Sequence, residues 1–195
     1  MKKLKVAITG GIGSGKSTVL GVLHSAGYKT LSSDKIVSEL YQTRKVKKLL
    51  KELFPDAVKG FFCLKIDRKK IASAVFSNEI LREKLTNTIT PLVLNEINER
   101  AKKLDTTVFV EVPLLFECGY QNEFDAVLVI TRALNERIES VKTRSNLTEQ
   151  EILSRIKSQT DYDEVDLSPY NVIVNDGDLN ALKEKVFTLV KNLTE

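Results

Sequence analysis

Residues 10–17 read Gly-Gly-Ile-Gly-Ser-Gly-Lys-Ser, which is the G-x-x-x-x-G-K-[ST] spacing of a loop that wraps phosphate. Glycines Gly11, Gly13 and Gly15 let the backbone curl until successive N–H groups aim at phosphate oxygens, in a loop where Ser14 and Thr18 are also expected to bind the nucleotide. A helix starting beneath adds the partial positive charge of its N-terminus. Lys16 is then placed to reach the β- and γ-phosphates of a nucleoside triphosphate, and the Ser17 hydroxyl to ligate Mg²⁺. At average glycine usage a chance match in such a chain is on the order of one in a hundred. The strand-like run before the loop and the helical run after it lower that further.

Other residues extend the chemistry. Glu111 closes "TVFVE", a Walker-B-like position. It either holds Mg²⁺ through a water or is a polar residue ending a strand. Asp34 lies just past a second strand, and open parallel sheets collect ligands at the carboxyl ends of their strands. A carboxylate there either takes the proton of an attacking hydroxyl or, with Ser32 and Ser33, caps the next helix. The sole histidine, His24, follows the loop on an otherwise apolar helix, so a base at this site is a carboxylate. Arg132, Arg137, Arg144 and Arg155 cluster in the last third. Phosphoryl transfer spreads negative charge, which a mobile arginine-bearing segment stabilises while excluding water. Arg137 and Arg144, two helical turns apart, can share a face.

These groups need a scaffold. "LKVAIT" (4–9), "YKTLS" (28–32), "TTVFVEV" (106–112), "DAVLVI" (125–130) and "NVIV" (171–174) have strand length and β-branched composition. Between them lie helical patterns: one after Ser17 that Gly27 ends, one from "SSDKIVSELY", "ALNERIESVKTR", a segment opened by the Thr148/Glu151 capping-box spacing, and a last one near 178–192. From about 44 to 105 the pattern is almost wholly helical. Val46, Leu49, Leu50, Leu53 and Phe54 form one apolar face, and Leu81, Leu85, Ile89, Leu92 and Ile97 another. Asp67 is an N-cap, and Pro91 kinks or divides its segment. Strands buried on both faces and alternating with helices predict an α/β, three-layer parallel sheet with helices on both faces. One domain, 1–195, is expected, with a helical insertion at about 44–105 and a lid at about 137–160.

The whole-chain properties agree. The 195 residues are 42% hydrophobic and 29% charged, with a net charge of +4, a globular balance with a core large enough to need no metal or disulfide staple. No apolar run reaches membrane-spanning length. The lysine-led N-terminus runs straight into the glycine loop, so it reads as a first strand rather than a leader. Cys63 and Cys118 stand in no metal-binding spacing and read as reduced thiols with packing roles, which fits a cytoplasmic protein. The basic run "RKVKKLLKELF" is a solvated helix face without interleaved aromatics. Neither nucleic acid nor membrane is an expected partner, and the chain is expected as a monomer or weak homo-oligomer.

"ITGGIGSGKST", Asp34 after the second strand, "VPLLFE" (112–117), "RIKSQ" (155–159) and "VIVNDGDLNAL" (172–182) together resemble the dephospho-coenzyme A kinase family, nearly end to end and in the same order. The resemblance implies a nucleotide-kinase-like fold, ATP and Mg²⁺, and transfer of the γ-phosphate to the ribose 3′-hydroxyl of dephospho-coenzyme A. It implies that Gly13 to Thr18 hold ATP and Mg²⁺, that Asp34 is the base, and that Arg144 is a lid arginine. Thr9, Leu114, Leu115, Phe116 and Arg137 would then line the acceptor site, with the helical insertion over the coenzyme. The family's D-A-D reads Ser32-Ser33-Asp34 here, and its D-V-P-L-L reads Glu111-Val112-Pro113. Thr90 replaces a usual histidine and Ser140 a usual arginine, for which Arg137 is one turn away. A nucleoside, nucleotide or shikimate kinase shares the loop and the carboxylate. A GTPase-like switch would carry N-K-x-D, which is missing, and a regulatory ATPase would carry an effector domain for which the chain has no room.

Overall fold

A computed structural model describes residues 2–60 and 63–195. Met1, and the part of the expected helical stretch at Phe61 and Phe62, lie outside the described residues. The chain opens with β1 (Lys5–Thr9), α1 (Lys16–Ser25) and β2 (Lys29–Ser32). The middle holds α2 (Ser33–Leu40), α3 (Arg44–Leu53), β3 (Val58–Lys59), β4 (Lys65–Ile66), α4 (Arg68–Ser77) and α5 (Glu79–Lys102). Then come β5 (Val108–Glu111), β6 (Ala126–Thr131), α6 (Leu134–Arg144), α7 (Glu149–Lys157), β7 (Asn171–Val174) and α8 (Leu179–Thr194). Two compact units result, Met1–Ser32 with Ala101–Glu195, and Ser33–Arg100.

In the first unit, β2, β5, β1, β6 and β7 pair in that order, all parallel. The predicted α/β class is the observed one. Alternate residues Val6 and Ile8 of β1, Phe109 of β5, and Leu128 and Ile130 of β6 meet Val19, Val22 and Leu23 of α1 and Leu182, Val186 and Val190 of α8. The intervening strand residues Ala7, Val110 and Val129 are also fully buried, as expected of central parallel strands. Burial of each such aliphatic side chain contributes roughly 1.5–3 kcal/mol. Gly27, with φ of 91°, ends α1 in the left-handed conformation that spares a β-carbon clash. The Thr148/Glu151 capping box opens α7 as its spacing predicts. A second, small cluster joins α6 to α7: Ile138, Val141 and Ile152, with Ile12, Leu147, Leu153 and Ile156 packed against it.

In the second unit, Thr43 caps α3 and Asp67 caps α4. Val46, Leu50 and Phe54 are the buried stripe near α3, while Leu49 and Leu53 are only partly covered. The expectation of an almost wholly helical stretch fails at residues 54–60 and 63–66. Phe54, which precedes Pro55, takes φ −135° and ψ 68°, because a following proline disfavours helical backbone. Val58 then pairs with Ile66 in a short antiparallel hairpin that contains Gly60. Pro91 sits inside α5 without dividing it, and Ile89, Val93 and Ile97 are the residues buried there. Arg100 ties α5 to α2 through Glu39, and pairs with Glu96 at 2.8 Å. Among the described residues no helix is long and apolar enough to cross a membrane.

Candidate active site

The glycine loop leaves the carboxyl end of β1, the central strand, and delivers Lys16 and Ser17 on the first turn of α1. Lys16 is buried, and its Nζ donates to the carbonyls of Gly10 at 2.7 Å and Gly11 at 2.9 Å. Its charge is thereby held inside the curve of the loop. The Ser17 hydroxyl donates to Glu111 Oε1 at 2.7 Å. Parallel pairing of Ile8 with Glu111 is what brings the carboxylate to that end of the sheet. Ser14 Oγ is buried with no hydrogen-bond partner. Such an orphan costs on the order of 1–3 kcal/mol, and its position in the loop suits donation to a phosphate oxygen.

The loop's neighbours crowd it. A β-carbon on Gly10 would stand 2.1 Å from the Ile130 carbonyl oxygen, and one on Gly15 2.5 Å from Asn175 Nδ2. On Gly11 it would meet the Arg137 guanidinium at 2.3 Å, and on Gly13 the Arg137 carbonyl at 2.5 Å. These contacts position the loop. Asn175, just beyond β7, donates from Nδ2 to the Ser14 carbonyl at 2.8 Å, and its N–H donates to the Thr131 carbonyl at 2.9 Å. Ile12 donates its N–H to Gln159 Oε1 at 2.7 Å and accepts from Arg137 Nε at 3.0 Å. Burial pulls the Arg137 guanidinium below its ordinary pKa, against the opposing effect of Asp163 and Asp161. A cleft of about 510 Å³ opens between Gly11 and Ser14, the end of β6, Arg137 and the segment after α7.

That segment also reaches "VPLLFE". The Thr160 N–H donates to Glu117 Oε1 at 2.7 Å, and Phe116 meets Tyr162 and Tyr170 edge-on with centroids 5.9 and 5.1 Å away. The Tyr162 hydroxyl lies 3.3 Å from Thr9 Oγ1, and burial above all pushes its pKa up to about 12. Thr9 and Leu115 are completely enclosed, with Tyr162 against Thr9. Leu114 is exposed and Phe116 half-buried, which leaves them free to offer an apolar surface.

The remaining predicted residues fall in two places. Arg144 ends α6, exposed, and shares a groove with Thr18, Arg132 and Glu136. Arg132 is engaged by Glu136 at 3.3 Å. Asp34 belongs to the second unit, exposed in the first turn of α2. Its side chain makes no cap hydrogen bond among the described residues. His24 is exposed, with Nδ1 3.3 Å from Thr30 Oγ1. Cys63 is exposed rather than packed, Cys118 is partly covered, and neither is in a disulfide. Gln159, Asn175 and Tyr162 were not singled out from the sequence. Gln159 and Asn175 do lie in "RIKSQ" and "VIVNDGDLNAL", where the family resemblance was the only signal.

Residues 4–181 match the family described as dephospho-CoA kinase. The dephospho-CoA kinase of Thermus thermophilus is 34% identical over 190 residues, covering 97% of this chain and 91% of that protein. A solved structure from Thermus thermophilus superposes with a TM-score of 0.86 at 34% identity, covering 98% of each chain. The dephospho-CoA kinase from Campylobacter jejuni gives a TM-score of 0.70 at 26% identity, covering 99% of this chain and 98% of that one. With its phosphate loop built on the central strand and matches running nearly end to end, the chain belongs to the dephospho-CoA kinase family.

Proposed function

We propose that the chain carries the γ-phosphoryl group of ATP to the ribose 3′-hydroxyl of dephospho-coenzyme A, completing coenzyme A, with the following division of labour. Gly11, Gly13, Ser14, Gly15 and Thr18 bind the triphosphate through the loop. Lys16 offsets the charge that spreads over the transferring oxygens. The acceptor oxygen forms its bond to γ-phosphorus as the bond to the β-phosphate bridging oxygen breaks, and Asp34 takes the hydroxyl proton. Arg144, at the free end of α6, neutralises the developing charge, and Leu114, Phe116 and Arg137 contribute to the acceptor side.

Ser17 and Glu111 offer the hard oxygen donors that suit Mg²⁺. No group of three or more His, Cys, Asp or Glu side chains forms a metal cage among the described residues. That donor set fits an ion held by one or two protein oxygens and the substrate phosphates. When bound, such an ion supplies neutralisation of the β- and γ-phosphate charge.

The observation that carries this reading is the family match over residues 4–181. The test is ADP release by the purified protein with Mg²⁺-ATP, with and without dephospho-coenzyme A. Strong stimulation, with the new phosphate on the 3′-oxygen, is expected. An Asp34→Asn variant should bind ATP normally and lose turnover by about 10²–10⁴-fold, the worth of a positioned base. Full turnover in that variant would remove Asp34 from the chemistry, and an unstimulated parent protein would remove the acceptor.

A further inference from the structure

We propose that Gln159 and Arg137 are the two jaws of a clamp on Ile12, and that Gln159 is a positioning residue for the ATP phosphates. The inference rests on the kinase reading above and deepens it. A trans peptide is planar, so its N–H and C=O point in opposite directions, and no cis peptide occurs among the described residues. The Ile12 N–H shares a peptide with the Gly11 carbonyl. Because the N–H is drawn to Gln159 Oε1 at 2.7 Å, the Gly11 carbonyl must face the other way. There it receives Lys16 Nζ at 2.9 Å.

The next peptide is set by the other jaw. The Ile12 carbonyl is held by Arg137 Nε at 3.0 Å, so the Gly13 N–H that shares its plane is turned to the opposite side, into the curve of the loop. The Ile12 side chain is anchored as well, packed against the Ile138, Val141 and Ile152 cluster. Every group of one loop residue is therefore held by the segment from α6 to just past α7. The absence of side chains at Gly11 and Gly13 is what lets Arg137 approach. Gln159 lies 147 residues from Ile12 and acts on phosphate only through it.

The test compares two substitutions at Gln159. In Gln159→Glu a carboxylate oxygen still accepts from the Ile12 N–H. Gln159→Met has similar length and no such acceptor. ATP affinity is measured by calorimetry without acceptor, and KM for each substrate from ADP release. Gln159→Met is expected to weaken ATP binding and raise KM for ATP about tenfold, the worth of roughly one hydrogen bond. The partly exposed Ile12 N–H can then turn to water and no longer fixes the peptides that face the phosphates. KM for dephospho-coenzyme A and the melting temperature should hold, and Gln159→Glu should restore ATP binding. Parental ATP affinity in the Met variant overturns the clamp. So does equal loss in both variants, or loss that falls alike on both substrates with a lowered melting temperature. If the parent binds ATP without responding to dephospho-coenzyme A, the acceptor assignment fails while the calorimetric comparison still judges the clamp.

Discussion

Two apolar clusters flank the phosphate loop, and they differ in kind. Beneath it, Val6, Ile8, Phe109, Leu128 and Ile130 interlock with α1 and α8 across a five-stranded sheet. Beside it, α6 and α7 share only Ile138, Val141 and Ile152 as buried residues, and Ile12 of the loop itself fills out their packing. The first cluster is tied into ladders of backbone hydrogen bonds that reach along the whole unit. The second has no strand and a small buried area, the features of a region that opens at low free-energy cost. Lys16, Ser17 and Glu111 stand on the first, Arg144 on the second. On the roles proposed above, phosphate would be gripped from the sheet-backed base, and Arg144 would meet the developing charge from the smaller cluster, which also holds the loop at Ile12.

The largest expected effect tests the sheet-backed base. Lys16→Ala should lower kcat/KM by about 10²–10³-fold, the scale for losing one preorganised donor, as read by ADP release. A milder loss than that of Arg144→Ala would reverse the ranking of the two regions. Next, the clusters should differ in the reach of damage. Phe109→Ala is expected to cost about 3–5 kcal/mol in global unfolding, and Ile152→Ala about 2 kcal/mol. Hydrogen exchange should show the second loss confined to α6 and α7, and equal deprotection of the sheet would merge the two clusters into one.

Smaller again, Arg144→Ala should reduce kcat about tenfold, less than the roughly 10²–10³-fold of a preorganised donor, because its side chain is exposed rather than held in place. The melting temperature should not move, since this side chain is exposed at the helix end. The smallest effect is acidic fraying of α7. The backbone N–H and hydroxyl of Thr148 hold the Glu151 carboxyl below its ordinary value of 4.5. Its contribution is complete above that value and is lost as pH falls through the lower, folded one. An NMR titration of Glu151 should therefore have its midpoint below 4.5, and Thr148→Ala should move it up.

The strands, the loop and the helix caps were legible because each is a local pattern. "LKVAIT" running into the glycines needs no distant residue to be read, nor does Asp67 before α4. The 58–66 hairpin was missed because its strands are only two residues long, too short for alternation to register against flanking helices. At the site, residue types and spacing were sufficient to foresee that Lys16, Ser17 and Glu111 stand together at the carboxyl end of the sheet. They do not reveal the enclosure of Thr9, which depends on chain far away: Tyr162 meets Thr9 across 153 residues. The same holds for Asn175, 161 residues from the Ser14 carbonyl it holds. A glycine motif announces that the backbone is curled, but what crowds each missing β-carbon is a tertiary fact.

The Asn175 bond has a consequence for the order in which the protein is made. Ribosomes deliver a chain from its N-terminus, and non-local pairings are slow to form. The triphosphate motif emerges among the first residues, yet β7, which carries its Asn175 latch, is the last strand of the sheet. A nascent chain halted before residue 171 therefore displays the whole motif without the contact that secures it. Competence for ATP should appear late and abruptly in synthesis, when the edge strand docks, so that half-made chains do not sequester the nucleotide.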